Sequence, residues 1–305
     1  MYLGFDTSNY TTSLALFDGK DIFQSKKLLS VKEGEKGLRQ SDALFQHTVN
    51  LPELVDSYDF DGKLSAVGVS AKPRNIEGSY MPCFLAGVSS ATALSKFCGV
   101  PLYKTSHQVG HILAALYSAD ILEYINKPFI ALHLSGGTTE VLYVKPDNDE
   151  LIKAEIIAQS LDLKAGQAID RTGVFLGMKF PCGAELDGLS RKSDKHFKYK
   201  VPMKGCDCSM SGIENKVKNM ISSGSSDEDV AKFVIDALCE TVNSMLLAVT
   251  EKYGELPIVF SGGVSSNSLL REYISSRYNA YFAHPSFSCD NAAGVAIYAY
   301  LKDSL

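Results

Sequence analysis

A pattern of strand, polar turn and strand occurs twice in the chain, once at the N-terminus and again after Lys127 and Pro128. The first copy reads YLGFD, SNYTT and SLALFDG, and the second reads FIALHLSGGTTEVLYV. Short apolar runs on either side of a turn of Ser, Thr, Asn or Gly are typical of antiparallel strands. Buried-strand patterns and helical segments follow both copies, as in LSAVGVSA and PIVFSGGVSSNSLLREYI. The recurrence predicts an α/β protein built from two related lobes.

The length of 305 residues allows two domains. We expect an N-terminal lobe at 1–126 and a C-terminal lobe at 127–305, with the C-terminal helix packing back toward the first lobe. The opening residues MYLGFDTSNY lack a basic region followed by an apolar one, and no later stretch approaches about 20 apolar residues. The sequence therefore predicts a cytoplasmic protein without a membrane span, and its seven scattered cysteines fit reduced thiols.

The net charge of −5 argues against a protein that holds nucleic acid by charge alone, although it leaves room for a local basic patch. One polar segment, 191–204, collects most of the candidates: Arg191, Lys192, Lys195, Lys198, Lys200 and Lys204. Two interpretations of this segment stay open, contact with RNA phosphates and a solvated charged loop.

Two histidines four residues apart, His107 and His111, lie in the stretch TSHQVGHILAALYSADILEYI. Apolar residues recur there at helical spacing, which places both imidazoles on one face of a helix with Ser106 as its N-cap: Val109, Ile112, Leu113, Leu116 and Ile121. Such a pair can bind a metal if a third ligand comes from elsewhere, and Asp290 is our candidate. The alternative is a pair of ordinary solvated or capping histidines, because short motifs are weak signals.

Two Ser-Gly-Gly sequences, at 135–137 and 261–263, follow strand patterns. Turns rich in Ser, Thr and Gly, one from each lobe, could present backbone N–H groups to a polyphosphate across a cleft. Glycine would let the backbone approach the ligand closely. Asp6, at the end of the first strand, could position a cation or a water near the phosphates.

Seven sequence blocks in order carry a family resemblance: FDTS at the start, H-x-x-x-H at 107–111, LSGGTT at 134–139, GQAIDRTGVFLGMKFPCG at 166–183, CSMSGIENKV at 208–217, FSGGVSSNSLLR at 260–271 and CDNAAGVA at 289–296. The chain resembles the TsaD family, the threonylcarbamoyl transferases formerly labelled O-sialoglycoprotein endopeptidases. The resemblance implies a two-lobed actin-like or Hsp70-like ATPase fold (ASKHA), with a nucleotide cleft between two RNase H-like lobes.

The resemblance also implies a set of site residues. Iron or zinc would be held by His107, His111 and Asp290, and His133, where archaeal members have a metal-reaching tyrosine, could be a fourth ligand. Asp6 and Asp170 would be catalytic. The substrate or nucleotide would contact His133, Leu134, Ser135, Gly136, Gly137, Asp170, Gly183, Gly262, Gly263 and Asn267.

The implied activity is the metal-dependent transfer of a threonylcarbamoyl group from threonylcarbamoyl-AMP to N6 of adenosine 37 in tRNA. Its implied requirements are one divalent metal, an ATP- or AMP-type nucleotide with Mg²⁺ as an option, tRNA, a TsaB-like dimer partner and a TsaE-like ATPase. A metalloprotease is disfavoured, since Gln108, Val109 and Gly110 separate the histidines and the glutamate base of H-E-x-x-H is missing.

The sequence departs from the family pattern at five positions: Asp6 replaces the glutamate of E-T-S, Arg74 stands in a segment that is usually Gly-Pro-Gly, Thr138 follows the first Ser-Gly-Gly, and Lys164 and Gln167 occupy a usually acidic segment. These departures leave a second hypothesis open, a diverged paralogue. It would be either a carbamoyltransferase on another acceptor or a non-catalytic partner of the tRNA-modifying complex. The retained histidine pair and Asp290 argue against a pure scaffold.

Overall fold

A computed structural model describes residues 1–8, 10–31, 38–58, 62–288 and 292–305. The elements of the first half are β1 (Tyr2–Asp6), β2 (Thr11–Phe17), β3 (Ile22–Leu28), α1 (Gln40–Asp56), β4 (Ala66–Lys72), α2 (Phe84–Cys98), β5 (Leu102–Ser106) and α3 (His107–Ser118). Those of the second half are β6 (Phe129–Leu134), β7 (Thr139–Asp147), β8 (Leu151–Gln159), α4 (Ala165–Phe175), α5 (Gly183–Ser190), β9 (Met203–Lys204), β10 (Asp207–Cys208), α6 (Ser211–Ser222), α7 (Asp227–Tyr253), β11 (Ile258–Ser261), α8 (Ser268–Ser275), β12 (Ala280–Phe282) and α9 (Ala293–Asp303). Short 3-10 helices lie at Leu122–Asn126, Gly263–Ser266 and Pro285–Phe287.

Two five-stranded sheets share one topology. The first has the order β3-β2-β1-β4-β5, and the second has the order β12-β11-β6-β7-β8. In the first sheet β1 is antiparallel to β2 and parallel to β4. In the second, β6 is likewise antiparallel to β7 and parallel to β11. The predicted α/β class and the predicted duplication are confirmed.

The chain divides into two compact units. The first comprises Met1–Lys127, Lys145–Ala154 and Cys289–Leu305, and the second comprises Pro128–Val144 and Glu155–Ser288. Strands β7 and β8 therefore pass from one unit to the other, and the turn between them belongs to the first. The C-terminal helix α9 also belongs to the first unit, where it packs on β1, β4 and α3.

Small residues allow α9 to lie directly against its neighbours. A Cβ added to Gly294 of α9 would lie 1.8 Å from the carbonyl oxygen of Gly110 in α3. One added to Gly68 of β4 would lie 2.5 Å from the carbonyl oxygen of Val295. Side chains at these points would push the elements apart, so the glycines fix how closely α9 and α3 approach.

The core of the second unit is built around α7. The Ser226 hydroxyl caps its start by accepting from the Asp229 N–H at 3.3 Å, and Gly254, with a φ of 81°, ends it. Among the described residues, one helix, α7, is long and apolar enough to cross a membrane by length and composition. Most of its apolar stretch is buried among the packed residues of the unit, as expected for a core helix.

Candidate functional site

Helix α3 presents the histidine pair. The Ser106 hydroxyl accepts from the Val109 N–H at 3.2 Å, which confirms the predicted N-cap. Four of the predicted apolar residues lie buried on the helix, whereas Ile121 is buried just beyond its end. The rings of His107 and His111 are one turn apart, with centroids separated by 4.2 Å. Both imidazoles therefore share one end of α3.

Asp6 orients the first of these imidazoles. Its carboxylate is 1% exposed at the end of β1, and Oδ2 lies 2.8 Å from His107 Nδ1. The same oxygen accepts from the Ser70 hydroxyl at 2.8 Å, while Oδ1 accepts from the Ser8 N–H at 2.8 Å. A carboxylate on Nδ1 places the ring proton there and leaves the Nε2 lone pair as the donor atom. Nε2 itself lies 3.4 Å from the Ser8 hydroxyl.

The other two predicted ligands are Asp290 and His133. Asp290 lies outside the described residues. No group of three or more His, Cys, Asp or Glu side chains that could hold a metal occurs in the part of the chain that the structure describes. His133 belongs to β6 of the second unit, where its Nδ1 lies 3.0 Å from the Ser261 hydroxyl.

The first Ser-Gly-Gly sequence forms a tight turn between β6 and β7. The Ser135 N–H donates to the Thr138 carbonyl at 2.8 Å, and the Thr138 N–H donates to the Ser135 hydroxyl at 3.1 Å. Gly136 and Gly137 are exposed, and their N–H groups have no acceptor among the described residues. A Cβ at either position would meet nothing within 4 Å, so open space adjoins the Cα atoms of both glycines.

The second Ser-Gly-Gly sequence has a different conformation from the first. It lies in the same unit as the first, because β11 runs parallel to β6 with Ser261 opposite His133. Gly262 has a φ of 88°, and a Cβ there would lie 2.3 Å from the Leu134 carbonyl oxygen. The chain then enters a 3-10 helix at Gly263 instead of a hairpin. Packing against β6 is thus sufficient to require glycine at 262, and its predicted contact with a ligand stays a prediction.

Helix α4 holds the first turn in place. Its Gly166 N–H donates to the Ser135 carbonyl at 3.1 Å, and its Ala165 N–H donates to the Thr139 hydroxyl at 2.9 Å. A Cβ at Gly166 would lie 2.6 Å from the Gly136 nitrogen. The start of α4 is therefore committed to supporting the turn.

Lys164 and Gln167, which depart from the family pattern, form hydrogen bonds at the start of α4. The Gln167 side-chain oxygen accepts from the Lys164 N–H at 3.2 Å, which caps the helix. The Lys164 ammonium donates to the Ser160 carbonyl at 2.6 Å.

Asp170 and Gly183 lie at the junction of α4 and α5. Asp170 Oδ1 accepts from the Cys182 N–H at 2.9 Å, while its other oxygen has no hydrogen-bond partner among the described residues. Gly183 begins α5 with open space beside its Cα. Burial raises the pKa of the Cys182 thiol, and the charge of Asp170 adds to the rise. The thiol thus stays protonated and is unsuited to act as a nucleophile.

Asn267 is held by the protein at both ends of its amide. Its oxygen accepts from the Leu270 N–H at 2.9 Å as the N-cap of α8, and its nitrogen donates to Asp187 Oδ1 at 3.0 Å. Asp187, on α5, also accepts from the N–H of Ser268 at 3.0 Å and from its hydroxyl at 2.9 Å. The sequence analysis missed Asp187 and Ser70. Ser70 had a usable signal, a polar residue inside an apolar strand pattern, whereas Asp187 had none.

Two mixed sheets of identical order, each with helices packed on it, define the ASKHA fold of actin-like ATPases and sugar kinases. The chain is similar to component A of (R)-2-hydroxyglutaryl-CoA dehydratase from Acidaminococcus fermentans, with a TM-score of 0.58, 18% identity and coverage of 100% of this chain and 99% of that one. It is also similar to full-length HypF in a phosphate- and nucleotide-bound form, with a TM-score of 0.62 and 13% identity over 100% of this chain and 46% of HypF. These likenesses establish the fold.

Sequence relatives establish the family. A family model described as TsaD, tRNA N6-adenosine threonylcarbamoyltransferase, matches residues 37–297. Proteins named tRNA N6-adenosine threonylcarbamoyltransferase from Thermosipho africanus and Mycoplasma mobile are 31% and 30% identical to the chain. Both alignments cover 98% of this chain, with 93% of the first relative and 97% of the second. The chain belongs to the TsaD family and is a transferase of tRNA threonylcarbamoyladenosine synthesis.

Proposed function

We propose that this chain transfers the threonylcarbamoyl group of threonylcarbamoyl-AMP to N6 of adenosine 37 in tRNA, with one iron or zinc ion bound. The observation that carries the proposal is His107, an imidazole that is oriented by the buried carboxylate of Asp6 and lies edge-on to the ring of His111 one turn away. This arrangement suits a metal ligand, because ligating histidines commonly donate their second ring N–H to a carboxylate.

The donor set fits a divalent transition metal. Two imidazoles and the carboxylate of Asp290 would hold it through three ligands and leave open positions for substrate oxygens. Helix α9 follows Asp290 in sequence and packs on α3. In this contact Gly294 of α9 lies against Gly110, which stands between the two histidines in sequence. When bound, the metal would supply Lewis-acid polarisation of the threonylcarbamoyl carbonyl.

The Ser-Gly-Gly turn at 135–137 is our proposed site for the AMP phosphate. Gly136 and Gly137 are exposed and their N–H groups have no acceptor among the described residues, so these groups could donate to phosphate oxygens. The carboxylate oxygen of Asp170 that has no partner among the described residues can accept a hydrogen bond from a ribose hydroxyl. HypF, a solved structure of similar fold, is described as phosphate- and nucleotide-bound.

The reaction is an acyl-type transfer. The adenine N6 attacks the carbamoyl carbon, the bond between that carbon and the AMP phosphate oxygen breaks, and one proton leaves N6. Phosphate held by backbone N–H groups makes AMP a better leaving group, because negative charge grows on the departing oxygen. The donors at Gly136 and Gly137 are fixed before the reaction by α4, so they need little reorganisation.

We further propose that the reaction needs tRNA together with a TsaB-like dimer partner and a TsaE-like ATPase. A chain with a net charge of −5 attracts a polyanion weakly overall, so RNA affinity must come from a local surface or from a partner.

Reconstitution tests the proposal. The purified chain is combined with threonine, bicarbonate, ATP, an adenylate-forming enzyme and tRNA carrying adenosine 37, with and without the two partners. Digested tRNA is examined by mass spectrometry for threonylcarbamoyladenosine, and the metal content of the chain is measured in parallel. We expect product, about one iron or zinc per chain, and loss of both in His111→Ala.

The outcomes separate the two hypotheses. A metal-loaded, nucleotide-binding protein that gives no modified adenosine with any combination of partners would reject the tRNA assignment and favour a diverged paralogue. Unchanged metal content in His111→Ala would reject the metal site.

A further inference from the structure

Within the basic segment 191–204, the part from Phe197 to Lys204 is packed on one face and is not a fully solvated loop. Its side chains alternate in burial from Phe197 to Lys204, as in an extended strand. The apolar side chains on one face pack against the core of the second unit: Phe197, Tyr199, Val201 and Met203. The other face carries Lys198, Lys200 and Lys204, all exposed, and we call these three residues the lysine ridge.

Buried contacts fix the path of this segment. The Phe197 N–H donates to Asp236 at 2.9 Å, and Asp236 is paired with Lys232, which is 7% exposed. The rings of Phe197 and Tyr199 both meet Phe233 edge-on, with centroids about 6 Å away. The ridge is therefore ordered before any partner binds, which lowers the entropic cost of binding.

Two of the cations before the ridge, Arg191 and Lys195, form ion pairs, whereas Lys192 and the lysines of the ridge form none among the described residues. Lys195 is paired with Asp229 at 2.5 Å, and Arg191 is paired with Glu272 at 2.6 Å. No lysine of the ridge forms an ion pair with another described residue, although Lys204 lies opposite Asp207 in the β9–β10 hairpin. The ridge thus concentrates uncompensated positive charge on a chain that is acidic overall.

We propose that the lysine ridge binds the sugar-phosphate backbone of the tRNA substrate, an inference that rests on the proposed function. Lys198 and Lys200, two residues apart in an extended segment, are at most about 7 Å apart, which suits successive phosphates along a strand. The aromatic residues of the segment face the core, so the ridge offers no ring on which a base could stack. The contact is therefore to phosphates and is independent of base sequence.

The test compares Lys198→Ala/Lys200→Ala with the unmodified chain by fluorescence anisotropy, using tRNA at 0.05–0.3 M salt (roughly the range over which counterion release is resolved). Each lost phosphate contact lowers the salt slope by about 0.7–0.9 and the affinity at 0.1 M salt by about five- to eightfold. The double variant should then bind about 25-fold or more weakly. The loss should be equal for tRNAs with adenosine or guanosine at position 37.

Two matched variants serve as controls. Lys63→Ala/Lys96→Ala removes the same charge from exposed positions in the first unit and should leave affinity within about twofold. Lys198→Arg/Lys200→Arg keeps the charge and should restore binding. In the reconstituted reaction, the alanine double variant should raise KM for tRNA with little change in kcat.

The result separates this proposal from the proposed function. An unmodified chain that modifies tRNA, with an alanine double variant whose affinity and salt slope match those of the control, overturns the ridge alone. A loss confined to one tRNA sequence overturns the phosphate contact. An unmodified chain that neither binds nor modifies tRNA overturns both.

Discussion

Replacing Asp6 by asparagine should weaken metal binding while the chain still folds. Oδ1 of Asp6 accepts from a backbone N–H of Ser8, so the amide oxygen of an asparagine must take that position. The amide nitrogen then occupies the place of Oδ2, facing the Ser70 hydroxyl and His107 Nδ1. The hydroxyl can reverse and accept, but Nδ1 can accept only if the ring proton moves to Nε2. The substitution therefore puts the proton on the nitrogen that a metal would need.

The expected magnitude follows from this switch. Loss of an outer carboxylate partner of a ligating histidine costs about 10- to 100-fold in metal affinity. That range corresponds to about 1.4–2.7 kcal/mol. We expect the dissociation constant for Zn²⁺, measured by competition with a chromogenic chelator on metal-free protein, to rise within this range in Asp6→Asn. Nitrogen NMR shifts of His107 should report the change of tautomer.

Ser70→Ala is the matched control, since it removes one hydrogen bond from the same carboxylate without touching His107. Its metal affinity should change by less than about threefold. If Asp6→Asn is folded and binds Zn²⁺ as tightly as the unmodified chain, the proposed orientation of His107 by Asp6 is refuted.

Four further changes test the packing, the candidate phosphate site and the burial of a thiol. The added Cβ of Gly137→Ala meets open space, so this variant should keep the melting temperature of the unmodified chain but bind nucleotide about tenfold more weakly by calorimetry. The added Cβ of Gly262→Ala would lie 2.3 Å from a carbonyl oxygen at a positive φ, so this variant should have a lower melting temperature. The opposite pair of results would contradict the two assignments. Gly294→Ala should destabilise the chain by about 3 kcal/mol in urea, because its Cβ would lie 1.8 Å from a carbonyl of α3; a loss under about 1 kcal/mol would show that the helices separate readily. Burial raises the pKa of Cys239 from 9.0 to about 12. The protonated thiol therefore makes its full contribution to the free energy of unfolding below pH 9. This contribution is lost as the pH rises toward 12, by up to about 1.4 kcal/mol per pH unit. Under reducing conditions the alkaline fall in the urea midpoint should be shallower in Cys239→Ala but unchanged in Cys98→Ala, an exposed control; equal slopes would contradict the assignment.

The sequence predicts the parts of the fold that follow local rules. The duplicated sheet was visible because strand periodicity and turn residues repeat in order, and the N-cap at Ser106 follows from residue type and position. Helix α1 was missed for a physical reason. It contains Pro52, buries the polar His47 and Asn50, and exposes Phe45, so its sequence lacks a clean apolar face.

The contact between Asp6 and His107 joins residues 101 positions apart and could not be predicted from spacing. It arises because β1, β4 and β5 are neighbours and parallel, which brings their carboxyl ends to one edge of the sheet. Asp6 ends β1, Ser70 lies near the end of β4, and His107 directly follows β5. The strand order brings these three polar residues into one hydrogen-bonded group, and residue spacing alone does not reveal that order.

The two Ser-Gly-Gly sequences show why a motif alone does not determine a site. Both follow strands of one sheet, and the sequence assigned the same reason to both pairs of glycines. In the structure, Gly262 is needed because β6 leaves no room for a side chain at a positive φ. Gly136 and Gly137 have room, so the fold alone does not require glycine there. If glycine is needed at 136 and 137, the requirement must come from something that approaches their backbone, which is the argument for a phosphate at this turn and not at the other.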